Sequence, residues 1–179
     1  MISKKDIPNI LTYGRLVAIP LLIVVFMMGN HLASFLVFGL ASLTDFFDGY
    51  LARKWKLETK FGAMIDQIAD KLLVCAALLC LVSTNSADLI PVVIIIFREI
   101  FVSGLREFMG NEGIAMPVSG LGKWKTATQL IAIVLLMIAP LYSGQTYGVE
   151  FFGTILLWLS AALSAITAIQ YWRVVSRNI

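Results

Sequence analysis

Asp45-Phe46-Phe47-Asp48-Gly49-Tyr50-Leu51-Ala52-Arg53, followed seven residues later by Phe61-Gly62-Ala63-Met64-Ile65-Asp66-Gln67-Ile68-Ala69-Asp70, sets four aspartates into otherwise apolar sequence. An ionised side chain at membrane depth costs about 2.5 to 3.5 kcal/mol on insertion scales, so four together demand a compensating cation. At 100° per residue, Asp45, Asp48, Gly49 and Ala52 fall on one stripe of a helix, and Gly62, Asp66 and Asp70 on one stripe of the next. Two such helices joined by a short loop can converge their carboxylates, and all-oxygen ligation favours Mg²⁺, Mn²⁺ or Ca²⁺ over thiophilic metals. Gly49, Ala52 and Gly62 would let a flat ring or a phosphate approach the backbone closely. Helix packing through small residues is the other use of the same stripes.

The surrounding sequence supplies the membrane. Across 179 residues, 59% are hydrophobic and only 14% charged, and the mean hydropathy is +0.88. A spanning helix needs roughly 20 mostly apolar residues. Six such segments lie at about 9–28, 32–53, 62–84, 89–109, 121–141 and 151–172. Short polar stretches near 29–31, 85–88 and 142–150 read as turns, leaving no room for a soluble domain. The expectation is therefore an all-α integral membrane protein, one six-helix domain over residues 1–179.

Its sidedness follows from the cations, because Lys and Arg near helix ends stay cytoplasmic. Lys4, Lys5, Arg53, Lys54, Lys56, Lys60, Arg106, Lys123, Lys125, Arg173 and Arg177 all fall at one set of helix ends, and the three opposite turns hold no Lys or Arg. Both termini are then cytoplasmic, with all four aspartates on the cytoplasmic half at the ends of helices 2 and 3. The pI of about 9.0 reflects this asymmetry and attraction to anionic lipid head groups, so no nucleic acid is expected. The first segment, with Arg15, Pro20 and no small-residue cleavage pattern, is expected to be retained. Cys75 and Cys80 read as apolar filler, and His31 receives no role. A six-helix ion carrier would spread charge between both faces, whereas helix 3 beyond Asp70 and Lys71, and helix 5 beyond Lys125, carry none.

The central stretch resembles the CDP-alcohol phosphotransferase signature, Asp-x2-Asp-Gly-x2-Ala-Arg-x8-Gly-x3-Asp-x3-Asp, and matches every fixed position from Asp45 to Asp70. The resemblance implies a six-helix, usually homodimeric enzyme that displaces CMP from a CDP-linked lipid with an alcohol. It implies that Asp45, Asp48, Asp66 and Asp70 hold two divalent cations, Mg²⁺ or Mn²⁺, and that Asp70 is the base for the attacking hydroxyl. By the same resemblance Gly49, Ala52, Arg53 and Gly62 lie around the CDP moiety, with Thr59 at a hydroxyl-bearing position there. Asn9 and Thr12, spaced to share one helix face, are candidates to line the nucleotide or its pyrophosphate, with capping after Pro8 the alternative.

Asp6-Ile7-Pro8-Asn9-Ile10-Leu11-Thr12-Tyr13-Gly14-Arg15, Arg98-Glu99-Ile100, Ser103-Gly104-Leu105-Arg106-Glu107 and Gly122-Lys123-Trp124-Lys125-Thr126 resemble the bacterial branch of the family that accepts sn-glycerol 3-phosphate. CDP-diacylglycerol and sn-glycerol 3-phosphate are then the implied substrates, in the bacterial cytoplasmic (inner) membrane. Branches that accept inositol phosphate or serine are the alternatives. Arg98 lies about 11 residues from the cytoplasmic end of helix 4, too deep for easy solvation, so it needs an anion or a buried partner. Arg98, Arg106 and Lys123 are the candidate acceptor-phosphate site, Arg offering bidentate contacts and Lys a point charge. Alternatively, Arg98 pairs with Glu99 or a helix-2 carboxylate while Arg106 and Lys123 snorkel to the interface.

Overall fold

A computed structural model of the protein describes residues 7–55, 60–114, 116, 120–142 and 146–177, with side chains described throughout except at 7–12, 45–55, 60, 61, 63 and 146. Among these residues the fold is all-helical: α1 (Ile7–Met27), α2 (His31–Trp55), α3 (Lys60–Ser83), α4 (Leu89–Asn111), α5 (Gly120–Ile138) and α6 (Thr146–Val175), with a 3-10 turn at Ala139–Leu141 after α5. Contacts group the chain into two units, Met1–Cys80 and Leu81–Ile179, the division falling within α3.

In the first unit α1 packs on α2, burying Leu22, Phe26, Phe38 and Ala41. The reversal between them is dictated locally. Gly29 takes φ +73°, a conformation that costs glycine nothing, and Asn30 Oδ1 accepts from the Ala33 N–H at 3.1 Å, capping α2. His31 sets its ring edge-on to Phe26, 6.1 Å between centroids, a packing contact. Along α3 the buried side chains Ala69, Leu73, Ala76, Ala77 and Leu78 recur at helical spacing.

In the second unit α6 packs against both α4 and α5. The Trp158 indole N–H donates to Asp88 Oδ2 at 2.9 Å, tying α6 to the start of α4. On α5, Lys125, Gln129, Ala132, Ile133 and Leu136 face inward. At Gly153 on α6 the helices come so close that an added Cβ would lie 2.9 Å from Leu136 Cγ and Cδ2 and 3.3 Å from Leu135 Cβ.

One expectation needs correction. The stretch 142–150 is not all turn, because α6 already begins at Thr146. Polarity alone does not stop a helix; Gly148 is the only poor helix former from 146 to 150, at a cost of about 1 kcal/mol. Of the described residues, Gly120–Leu141 and Tyr147–Val175 form helices long and apolar enough to cross a membrane. In α3 and α4 the apolar run is broken by Asp66, Asp70 and Lys71, and by Arg98, Glu99 and Arg106.

Gly153→Ala should destabilise the protein by about 1 to 3 kcal/mol through overpacking, less any gain in helix propensity. Thermal unfolding in detergent measures it. Leu136→Ala in the same chain should recover part of the loss, and strict additivity of the two changes would show that this contact is not the constraint.

Candidate functional site

Five residues of the aspartate motif lie on α2, at Asp45, Asp48, Gly49, Ala52 and Arg53; its backbone is helical there, but these side chains lie outside the described residues. So do the side chains of Asn9 and Thr12 on α1, and Thr59 altogether. On α3, Gly62 and Asp66 are half-buried and Asp70 is exposed. Asp66 and Asp70 are one turn apart on one face, as the spacing requires.

The described part of this site contains a partner that the motif does not announce. Arg15 Nη1 on α1 donates to Asp66 Oδ1 at 2.8 Å. Arg15 is only 1% exposed, so its charge is compensated inside the protein. The bond also links α1 to α3. Among the described residues no three His, Cys, Asp or Glu side chains gather as a metal site, and two of the four expected ligands are outside that description. Among the described residues Asp66 and Asp70 offer two carboxylates one turn apart, the oxygen donors a hard cation takes, with one Asp66 oxygen engaged by Arg15.

A second cluster lies in the second unit, built from three helices. Arg98 on α4 donates from Nε to Thr167 Oγ1 of α6 at 3.1 Å and from Nη1 to Glu99 Oε1 at 3.0 Å. The Lys125 ammonium of α5 donates to that same Glu99 oxygen. Arg106, two turns along α4, donates to the Tyr171 hydroxyl of α6. The Arg106 and Arg98 guanidinium carbons sit 4.9 and 5.9 Å from the Tyr171 ring centroid, a cation–π arrangement shared by two cations. Thr167 and Lys125 are 0% and 2% exposed. Two cations thus share one carboxylate, a third, Arg106, is linked to them through Tyr171, and Arg106 Nε is buried with no hydrogen-bond partner among the described residues. A buried donor without an acceptor is costly, and guanidinium and ammonium groups are the side chains that pair most strongly with anions.

The sequence profile of the CDP-alcohol phosphatidyltransferases matches residues 5–166. The chain belongs to this family. Its relatives include proteins named CDP-diacylglycerol–glycerol-3-phosphate 3-phosphatidyltransferase. That of Rickettsia typhi is 45% identical over 172 residues, covering 94% of this chain and 96% of that protein. That of Haemophilus influenzae is 40% identical, covering 96% and 94%, and that of Cereibacter sphaeroides 38%, covering 94% of each.

Among the sequence-predicted acceptor residues, Arg98 and Arg106 meet on Tyr171, and Lys123 is exposed. The alternative pairing of Arg98 with Glu99 is present as well. Lys123 and Lys125 are some 200° apart on a helix, so the turn that buries Lys125 directs Lys123 outward. Sequence reasoning passed over Lys125 as an interfacial cation, and passed over Arg15, Thr167 and Tyr171. The signal for the last two was legible: Ser160, Ser164, Thr167 and Tyr171 recur at helical spacing within an apolar helix.

Asp66→Asn should destabilise the protein by about 1.5 to 3 kcal/mol, the usual worth of a hydrogen bond to a charged group. Arg15→Met should cost less, since the half-buried Asp66 carboxylate keeps access to water whereas Arg15 does not. Equal unfolding temperatures for Asp66→Asn and the parent protein in detergent would show that the Arg15–Asp66 bond contributes nothing to the fold.

Proposed function

We propose that the protein transfers the phosphatidyl group of CDP-diacylglycerol to sn-glycerol 3-phosphate, giving phosphatidylglycerol phosphate and CMP. The identity of its relatives supports the reaction, at 45% over 94% of the chain. The observation in the structure that carries it is the buried cation cluster around Glu99 with its unfilled Arg106 N–H. An acceptor bearing a phosphate dianion supplies the missing charge, and an uncharged alcohol does not.

The donor's pyrophosphate belongs with the aspartates. Asp45, Asp48, Asp66 and Asp70 are the proposed ligands of two divalent cations, Mg²⁺ or Mn²⁺, which when bound offset the charge of the phosphoryl oxygens under attack. Asp70 is the proposed base that takes the proton from the glycerol hydroxyl as its oxygen bonds to the phosphorus on the diacylglycerol side. The phosphorus–oxygen bond to CMP breaks, and Arg53 is suited to the departing phosphate. Gly49, Ala52, Gly62, Thr59, Asn9 and Thr12 are proposed to line the CDP moiety. Arg98 and Arg106 are proposed to hold the acceptor phosphate, with Lys123 at its approach and Lys125 added from the geometry.

The proposed setting is the bacterial cytoplasmic membrane, spanned six times by one domain over residues 1–179, both termini and the site facing the cytoplasm. The one-sided Lys and Arg distribution supports this. A homodimer is the proposed assembly.

The acceptor is tested with purified protein, CDP-diacylglycerol and a panel of alcohols, following CMP release. sn-Glycerol 3-phosphate should be used in strong preference, and preferential use of inositol phosphate or serine would overturn the reading. Arg98→Ala should raise the KM for glycerol 3-phosphate by about 10- to 100-fold, the loss of a charged hydrogen bond, with little change for CDP-diacylglycerol. Lys123→Ala should act in the same direction.

Asp45→Asn, Asp48→Asn, Asp66→Asn and Asp70→Asn should each lower kcat by about 100-fold or more, beyond the effect usual for residues outside the ligand shell. Chelation should stop turnover and added Mg²⁺ or Mn²⁺ restore it. Full activity in any two of these variants, at matched folding, would remove the two-cation assignment.

A further inference from the structure

Glu99 occupies a peculiar position in the cation cluster. Its Oε1 accepts from both Arg98 Nη1 and Lys125 Nζ, so two cations direct donors to one oxygen of one carboxylate. The Glu99 side chain is 14% exposed and Lys125 2%, so water cannot take over either role cheaply. Without that carboxylate Arg98, Arg106 and Lys125 would form a part-buried cluster of three like charges, which repel one another at low dielectric. Something anionic has to hold the cluster together while no ligand is bound.

From this we infer that Glu99 is an internal competitor for the acceptor's phosphate, a positioning residue that keeps the cluster assembled at rest and limits how tightly it grips the ligand. The inference rests on the reading of this cluster as the acceptor site. Its chemical motive is that the acceptor phosphate takes no part in the reaction. Glycerol 3-phosphate brings it in and phosphatidylglycerol phosphate carries it out unchanged, because the bond that forms is at the glycerol hydroxyl. Contacts to that phosphate therefore stabilise substrate and product alike, and binding energy spent uniformly does not speed the chemistry. Three cations with no competing carboxylate would hold the product as firmly as the substrate. Glu99 draws on the same Arg98 and Lys125 donors that a phosphate would use, so each phosphate contact is gained partly at the expense of an existing ion pair.

The test is Glu99→Gln in the full chain, purified in detergent, which keeps the side-chain shape and an acceptor oxygen but removes the charge. With no ligand its unfolding temperature should fall below that of the parent protein. Glycerol 3-phosphate at a fixed concentration should then raise that temperature by more than it does in the parent. The KM for glycerol 3-phosphate should fall by about three- to tenfold, product inhibition by phosphatidylglycerol phosphate should tighten by a similar factor, and the KM for CDP-diacylglycerol should stay put. A residue that only supports the fold predicts instead a raised KM, or losses shared by both substrates. Either result, or an unchanged KM for glycerol 3-phosphate, overturns the inference. Should Glu99→Gln not fold, Glu99→Asp keeps the charge but draws it back from Arg98 and Lys125, and its KM should fall by a smaller factor; an unchanged or raised value is again decisive against. Arg98→Ala separates the two levels of the argument. If it leaves the glycerol 3-phosphate KM untouched, the acceptor site itself is misplaced. If it raises that KM while the Glu99 variants do not lower it, only the role of Glu99 fails.

Discussion

An ionised side chain within an apolar helix has to find its counter-charge on a neighbouring helix, and that constraint organises both units of this protein. Arg15 could not sit 1% exposed on α1 without an anion, and Asp66 on α3 supplies it at 2.8 Å. Arg98 and Lys125 could not be buried on α4 and α5 without Glu99. Arg15–Asp66 and Lys125–Glu99 cross between helices, so there neutralising the charge also links the helices, while Arg98 is paired within α4 by its neighbour Glu99. Helices in a bilayer gain little from burying apolar surface against one another, since lipid is as apolar as leucine. Polar links and close approach then decide which faces meet.

Close approach is visible where α5 and α6 pack. Gly153 leaves no room for a Cβ against Leu136, and on the same face of α5 Lys125 and Gln129 point inward. One helical face thus carries apolar contact at its far end and the charged cluster at its near end. Because Lys123 and Lys125 differ by about 200° in direction, rotating α5 to seat Leu136 also chooses Lys125 as the buried lysine. Packing at one end of the helix selects the chemistry at the other.

Much of this was legible in the sequence, and the gaps have physical causes. Six helices follow from apolar length and the turn residues, and Gly29-Asn30 places the first reversal to within a residue. The start of α6 is hidden in the sequence because polarity alone reads as a turn, although nothing in 146–150 prevents a helix. The aspartate motif was conspicuous because its charges are unbalanced within their own helices. Arg15 was not, since its partner is 51 positions away in the chain and only the fold brings them together. Arg98 was recognised by depth, which is a local property; Lys125 was confused with interfacial lysines because burial depends on helix rotation, which no cation count reports. Tyr171 is the instructive case. A tyrosine near the end of an apolar helix reads as an interfacial anchor, and only the pair of guanidiniums around its ring shows it as the link between Arg98 and Arg106.

On the proposed reading the two clusters carry charge of opposite sign, and the two substrates are complementary to them. On the proposed reading the aspartates take metal ions and through them a pyrophosphate, and Arg15 is the cation described beside them at Asp66. The arginines and Lys125 exceed their one carboxylate, which suits a phosphate directly. An enzyme whose two substrates are both anionic has to keep them from repelling each other, and bringing one in through metal ions and the other through fixed cations does so without asking either substrate to lose its charge. The internal partners make these imbalances tolerable. Arg15 offsets the charge of Asp66, and Glu99 offsets charge on Arg98 and Lys125. The surplus that remains, not the total number of charges, is what a substrate encounters.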